Sequence, residues 1–237
     1  MNLSGVVMNK STRQARITTQ TDGPFKVEGE IPLVKKSQVV SEYGEPLNWR
    51  KDGDIECEGQ VLLCRCGFSK NKPFCDSTHL ATDFDGTDQV DNRPSVERRI
   101  DYPEGVGIVV RKDEYLCTES GFCGNRRIDI FGMMSHTDEP SVRAEIMAMI
   151  DRCPSGSFTY ALDEHGPDIE ADLPVEIAVT TEILSDGPVE GPLWVTGNIP
   201  VICENGALLE TRNRVTLCRC GRSENKPLCD GTHRLKD

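Results

Sequence analysis

One stretch of sequence occurs twice in the chain: CRCGFSKNKPFCDSTH at residues 64–79 and CRCGRSENKPLCDGTH at residues 218–233. We call them the first loop and the second loop. They align without a gap at an offset of 154 residues, and each carries three cysteines and one histidine in the pattern C-x-C-x8-C-x3-H. An internal repeat indicates two copies of one structural module. Donors that recur in register predict a metal-binding loop in each copy.

The similarity of the two copies extends upstream of the loops. GPFKVEGEIP at residues 23–32 matches GPLWVTGNIP at residues 191–200 at an offset of 168, so the first copy holds 14 extra residues before its loop. We expect these extra residues to form an exposed loop. Alternating apolar and polar residues at 175–180 predict a half-buried strand. Asp76 and Asp230 stand where a short helix would begin.

The spacing of the donors leaves two metal chemistries open. A set of three cysteines and one histidine can bind a structural Zn²⁺ tetrahedrally. The same set can bind a [2Fe–2S] cluster, with two donors on each iron. Zinc modules commonly begin with two cysteines separated by two to four residues, whereas a single arginine separates them here. The spacing therefore favours the iron–sulfur cluster over a zinc ion.

The composition excludes several classes of function. The chain has 237 residues and a formal net charge of −12, which is unsuited to binding a nucleic-acid backbone. No apolar run approaches the roughly 18 residues of a membrane helix, so we expect no membrane partner. Residues 1–14 lack the apolar core of a signal peptide, which predicts a cytoplasmic, reducing location. In such a compartment cysteines are expected to bind metal rather than to form disulfides. Cys57 and Cys203 fall outside the metal-binding patterns and are expected to be small buried apolar residues.

The negative charge is concentrated between the two loops. Residues 86–208 carry 23 acidic and 9 basic side chains. Such a surface either keeps a small protein soluble or docks a basic redox partner, and the sequence leaves both interpretations open. The chain also lacks the Ser-His-Asp, G-x-G-x-x-G and Walker patterns. We therefore expect a protein that is not an enzyme.

A third group of cysteines lies between the repeats. Cys117 and Cys123 flank Ser120, and Cys153 follows thirty residues later, immediately before a proline. Pro140 is typical of the first residue of a helix. The apolar residues after it predict one buried helix face, formed by Val142, Ile146, Met149 and Ile150. This helix would deliver Cys153 towards the earlier pair.

The two loops resemble the signature of the CDGSH iron–sulfur family, the mitoNEET-like domains. The resemblance implies a redox-active [2Fe–2S] cluster in each loop, with the C-x-C pair on one iron and the last cysteine and the histidine on the other. The implied ligands are Cys64, Cys66, Cys75 and His79 in the first loop, and Cys218, Cys220, Cys229 and His233 in the second. The first loop departs from the family at Ser77, where glycine is usual.

The resemblance also implies how the two modules associate. Family members commonly pair as homodimers through an exchanged β-cap. Two copies in one chain therefore imply an intramolecular pseudo-dimer, a monomer with an internal pseudo-twofold axis.

The middle segment resembles the divergent single-cluster [4Fe–4S] ferredoxin domain found beside CDGSH modules. In ordinary ferredoxins the cysteines follow a C-x2-C-x2-C run with a distant Cys-Pro. Here Ser120 takes the middle position, so the implied third site consists of Cys117, Cys123, Cys153 and Ser120. Three thiolates can hold a [3Fe–4S] cluster, or a [4Fe–4S] cluster with a fourth donor. The alternative is a ferredoxin-like fold that has lost its cluster.

These observations predict an α+β, mainly β chain with four parts. Residues 1–85 form the first CDGSH module, 86–107 a linker, 108–166 a divergent ferredoxin-like domain and 167–237 the second module. The expected function is electron transfer or cluster transfer to a protein partner, with two [2Fe–2S] clusters and a third [3Fe–4S] or [4Fe–4S] cluster. The alternatives are a structural zinc-binding adaptor and a small electron-transfer subunit of a larger oxidoreductase.

Overall fold

The structure, a computed structural model, describes residues 15–57 and 59–235, which fold mainly as β-strands. The prediction about a signal peptide at residues 1–14 lies outside the described residues. The strands are β1 (Arg16–Thr19), β2 (Phe25–Glu28), β3 (Leu33–Val40), β4 (Pro46–Asp54), β5 (Val61–Leu63), β6 (Ile100–Tyr102), β7 (Val109–Lys112), β8 (Phe158–Ala161), β9 (Glu176–Leu184), β10 (Gly187–Thr196), β11 (Val201–Ile202) and β12 (Arg214–Leu217). The prediction of a mainly β chain is confirmed.

The helices of the described residues are short. The α-helices are α1 (Ser95–Arg98), α2 (Ile130–Met133) and α3 (Pro140–Arg152). Single 3₁₀ turns occupy Thr78–Ala81, Glu114–Leu116, Met134–His136 and Thr232–Arg234. No helix in the described ranges is long and apolar enough to span a bilayer.

Each of the two larger sheets combines strands from both repeats. One sheet has the order β11-β1-β2-β5, and the other has the order β12-β10-β9-β3-β4. β11 of the second repeat pairs in parallel with β1, and β3 of the first repeat pairs in parallel with β9. The registers correspond, because Val201 lies opposite Ile17 and Leu33 lies opposite Ile177. Each repeat therefore completes the sheet of the other.

The exchanged strands enclose one shared core. Its largest apolar cluster contains Ile17, Phe25 and Leu63 from the first repeat together with their counterparts Ile177, Leu193 and Leu217 from the second. Burial of this apolar surface is the main force that joins the two halves. Neither half could bury these side chains by itself.

The extra residues of the first copy form a β-hairpin, so the prediction of an exposed loop is wrong. β3 and β4 pair antiparallel on either side of a turn in which Gly44 donates to the Ser41 carbonyl at 3.0 Å. β3 lies inside the sheet between β9 and β4. β4 is the edge strand and most of its residues are exposed, so its sequence is polar and lacks the alternation that indicates a strand.

The middle domain consists of the sheet β6-β7-β8 and the helix α3. α3 begins at Pro140 and ends one residue before Cys153, as the sequence predicts. Ile146, Met149 and Ile150 are buried on its inner face. Residues 86–107 differ from the predicted linker, because they contain α1 and the sheet strand β6. β6 is a short, largely exposed edge strand, which explains the few large apolar residues in this segment.

The two metal-binding loops touch back to back through a pair of glycines. A Cβ atom on Gly67 would overlap the carbonyl oxygen of Cys220, and a Cβ atom on Gly221 would overlap the carbonyl oxygen of Cys66. Both glycines have positive φ, 83° and 81°. The contact is reciprocal, and only glycine permits both the conformation and the close approach.

Replacing Gly221 with alanine should therefore destabilise the protein more than the same change at an open position. Gly206 is a matched control, because its φ is 84° and no atom lies within 4 Å of an added Cβ. Gly206→Ala should lower the free energy of unfolding by about 1–2 kcal/mol through its backbone conformation alone. Gly221→Ala should lower it by about 1–3 kcal/mol more, because the added Cβ overlaps the other loop. The midpoint of thermal unfolding of the iron-loaded protein measures both. Equal losses would show that the loops are not tightly packed there.

Candidate metal centres

The same set of hydrogen bonds shapes both loops. Ser69 donates to the carbonyl of Phe74 at 2.6 Å, and Ser223 donates to the carbonyl of Leu228 at 2.7 Å. The following aspartate of each loop accepts two backbone N–H bonds, one from the residue six positions earlier and one from the residue two positions later. The 3₁₀ turn that carries the histidine starts directly after these bonds.

Ser77 adopts the left-handed conformation that glycine usually supplies. Its φ is 67°, and the corresponding Gly231 has φ 91°. Serine therefore occupies the turn before His79 without removing a ligand.

The donors of each loop stand as two pairs. The sulfur atoms of Cys64 and Cys66 are 3.8 Å apart, and those of Cys218 and Cys220 are 3.7 Å apart. The sulfur of the last cysteine lies 3.4 Å from the histidine Nδ1 in each loop. Two thiolates on one tetrahedral metal lie about 3.8 Å apart, and a thiolate and an imidazole nitrogen about 3.5 Å apart, from metal–ligand bonds of about 2.3 and 2.0 Å.

The pairs fit a cluster of two irons. Each pair spans one edge of a tetrahedral metal, and each loop offers two such pairs. Among the described residues, no three histidine, cysteine, aspartate or glutamate side chains form a group that could hold a metal ion. One pair on each iron is how four protein donors bind a [2Fe–2S] cluster.

Burial and hydrogen bonding set the protonation of the free thiols. The hydrogen bond from the Cys218 thiol lowers the pKa of Cys220 to about 6, whereas burial raises the pKa of Cys229 well above its usual range. Burial also raises the pKa of Cys66.

An arginine lies between the first two cysteines of each loop. Both arginines are buried, but their charges have different partners. Arg65 forms a buried ion pair with Asp88 and lies over the ring of Phe25. Arg219 instead donates to the carbonyl oxygens of Gly191, at 2.7 Å, and Thr180, at 3.2 Å. Burial lowers the pKa of Arg219, whereas the charges of Glu190, Cys64 and Cys220 raise it. The positive charge beside the second loop is therefore the less compensated one.

The histidines also differ in their surroundings. His233 is buried, and its Nε2 lies 3.1 Å from Oε2 of the fully buried Glu182, which also pairs with Arg234. His79 is only half-buried, and within the described residues its Nε2 has no carboxylate partner. Sequence analysis missed the contact of Glu182 with His233, because it joins residues 51 positions apart.

Two cysteines of the third predicted site, Cys117 and Cys123, lie near Cys153 at the end of α3. Burial raises the pKa values of Cys117 and Cys123, and the nearby Cys153 raises both further. The ammonium of Lys112 acts on the same two thiols in the opposite direction. Ser120 is buried, and the hydroxyl of Ser155 lies 3.5 Å from the sulfur of Cys153. Sequence analysis missed Lys112 and Ser155, because neither belongs to the cysteine spacing.

The ligand segment of the middle domain packs on the second loop. A Cβ atom on Gly231 would lie 3.0 Å from the carbonyl oxygen of Thr118. The side-chain amide of Asn225 donates to the carbonyl of Tyr115 at 2.8 Å. The third predicted site therefore adjoins the second loop through the residue that follows Cys117.

The β3–β4 hairpin holds the same segment from the other side. Gln38 donates to the carbonyl of Ser120 at 3.0 Å, and the Trp49 indole donates to the carbonyl of Arg152 at 3.1 Å. The Trp49 ring also packs against Phe122, with centroids 5.4 Å apart. The extra residues of the first copy thus contact both ends of the third predicted site.

Comparison with known proteins agrees with this geometry. Residues 22–80 and 190–234 match the family described as iron-binding zinc finger CDGSH type. Residues 104–163 match the family described as divergent 4Fe-4S mono-cluster. No curated protein and no solved structure matches the chain.

Removing the negative charge of Asp88 should raise the reduction potential of the cluster in the first loop more than that of the cluster in the second. The Arg65 charge would then be uncompensated and would stabilise the reduced cluster, by tens of millivolts. Asp83→Asn is the control, because this aspartate is exposed and its charge is screened. A redox titration of Asp88→Asn followed by EPR measures the shift. An unchanged potential with the cluster retained would contradict this electrostatic role.

Proposed function

Because the chain carries two CDGSH-type iron-binding segments and a divergent 4Fe-4S mono-cluster domain between them, we propose that it carries electrons between protein partners. In this proposal the two loops hold [2Fe–2S] clusters and form an intramolecular pseudo-dimer. The middle domain holds a [3Fe–4S] or [4Fe–4S] cluster. The protein is a monomer without a reaction of its own, and it works in a reducing compartment such as the cytoplasm.

The observation that carries this proposal is that the two loops and the segment that follows Cys117 contact one another in series. The middle domain adjoins the second loop at Thr118 and Gly231, and the second loop adjoins the first at the reciprocal glycines. Electron transfer slows steeply with distance, so contact between successive sites favours movement of electrons through the chain. The strand exchange supports the pseudo-dimer, since it gives the two loops one fixed separation.

The residues around the loops serve the clusters rather than a substrate. When bound, a [2Fe–2S] cluster accepts and releases one electron. The cysteines and histidines supply the bonds to iron, and the buried Arg219, which has no ion pair of the Arg65–Asp88 kind in the described residues, supplies positive charge that stabilises the reduced form. A groove of about 600 Å³ lies between the loops and is lined by Cys66, Phe68, Cys220 and His233. Its position next to ligands of both loops supports access by a redox partner.

Metal analysis and EPR test this function directly. Each loop should contribute two iron atoms and two acid-labile sulfides to the total. The dithionite-reduced protein should give EPR signals of reduced [2Fe–2S] clusters. A red-brown protein with these signals supports the proposal. A colourless protein that contains zinc would instead support the structural adaptor.

Exchange of a histidine ligand for cysteine should lower the potential of that cluster. His79→Cys replaces imidazole with thiolate, which donates more charge to iron. The half-buried position of His79 leaves room for the change. The exposed neighbour Leu80 provides the control Leu80→Ala, which should leave both potentials unchanged. A potential that stays the same or rises in His79→Cys would argue against histidine as a ligand.

The state of the middle site should depend on Ser120. If a cluster forms there, total iron should reach about seven or eight atoms per chain, against about four when only the loops are loaded. Serine is a poorer iron ligand than cysteine, so Ser120→Cys should fix the four-iron form after anaerobic reconstitution. Ser135→Cys adds an exposed thiol elsewhere and serves as the control. About four irons in every variant would identify the middle domain as an empty fold.

A further inference from the structure

The two loops share their ligands but not their surroundings, and we propose that they have unequal roles. The second loop retains its cluster because Glu182 positions the His233 ligand. The first loop releases its cluster to an acceptor protein with free thiols. This inference rests on the proposed function, since it requires a [2Fe–2S] cluster in each loop.

Glu182 acts on the outer side of the His233 ring. The Nδ1 atom of His233 lies 3.4 Å from the sulfur of Cys229, so this nitrogen faces the ligand pair. The Nε2 atom lies 3.1 Å from the Glu182 carboxylate and donates its proton there. Arg234 pairs with the same carboxylate oxygen. A carboxylate on the second nitrogen fixes the tautomer and the orientation of a metal-bound histidine and strengthens its bond to the metal.

The length of one hairpin explains why only the second loop has this contact. β9 and β10 extend over Glu176–Leu184 and Gly187–Thr196, whereas the corresponding β1 and β2 cover only Arg16–Thr19 and Phe25–Glu28. Counted from the paired residues Ile177 and Ile17, Glu182 corresponds to Asp22. Asp22 accepts instead from the N–H of Gly86 at 2.8 Å. The shorter hairpin of the first repeat thus brings no carboxylate to His79.

The middle domain covers the second loop as well. Gly231 and Asn225 are buried against the segment that contains Tyr115 and Thr118. The corresponding residues of the first loop, Ser77 and Asn71, are exposed. An incoming ligand can therefore approach the Cys75 and His79 end of the first loop from a side that is closed in the second.

The side chains beside the first loop also suit a protein acceptor. Phe68, exposed by 57%, lines the groove beside Cys66, and Leu80, exposed by 80%, directly follows the half-buried His79. At the corresponding positions the second loop has Arg222 and Arg234. During transfer, each iron–ligand bond that breaks at the first loop is replaced by an iron–thiolate bond to the acceptor. The protons that the acceptor thiols release are taken up by the freed cysteine thiolates and by the freed histidine or solvent. The iron oxidation states do not change.

Cluster loss from the intact, fully loaded chain tests this inference. Visible absorbance at fixed neutral pH follows the loss to the iron chelator ferrozine and, separately, to an apo-ferredoxin. We expect two phases that differ at least tenfold in rate. Glu182→Gln should accelerate the slow phase by about 10–100-fold and leave the fast phase unchanged. Asp22→Asn is the matched control and should change neither phase.

A second readout separates positioning from simple structural damage. Loss of the carboxylate weakens electron donation from His233, so Glu182→Gln should raise the potential of one cluster and leave the other unchanged. If Glu182→Gln folds poorly, the slow phase of wild type should still vanish in Cys229→Ala, and the fast phase in Cys75→Ala. A single phase in wild type, or acceleration of both phases by Glu182→Gln, would overturn the inference. Absence of iron and sulfide would instead contradict the proposed function.

Discussion

The closeness of the two loops at Gly67 and Gly221 is the constraint on which the rest of the structure depends. Each glycine faces the carbonyl of a ligand cysteine of the other loop, and the contact leaves no room for a side chain. The loops can meet in this way only when both repeats are folded together. The exchange of β3 and β11 and the shared apolar core provide that arrangement. The metal centres and the strand pairing thus stabilise each other.

Two hairpins make the two otherwise similar repeats different from each other. The β3–β4 hairpin occurs only in the first repeat, and it reaches the ligand segment of the middle domain through Gln38 and Trp49. The β9–β10 hairpin is long only in the second repeat, and it carries Glu182 to His233. Both additions enclose the half of the molecule that contains the second loop. The first loop is more exposed to solvent than the second loop.

The sequence predicted the parts of the structure that short motifs encode. The close pairing of the donor atoms in both loops follows from donors that recur in register, and α3 follows from Pro140 and the apolar residues after it. The β3–β4 hairpin could not be predicted, since the edge strand β4 is exposed and therefore polar. The Glu182 contact could not be predicted either, because a glutamate in a strand has no local signature and its partner is distant in the chain.

Joining the two halves in one chain has a consequence for how they can evolve. An assembly of two identical chains receives every substitution twice, so its two centres remain alike. Here a substitution changes the surroundings of one centre only. Phe68 and Leu80 at the first loop therefore correspond to Arg222 and Arg234 at a second loop that otherwise has the same metal-binding pattern. The duplicated frame preserves the metal sites while each copy acquires its own neighbours. Tethering thereby permits specialisation without loss of the common architecture.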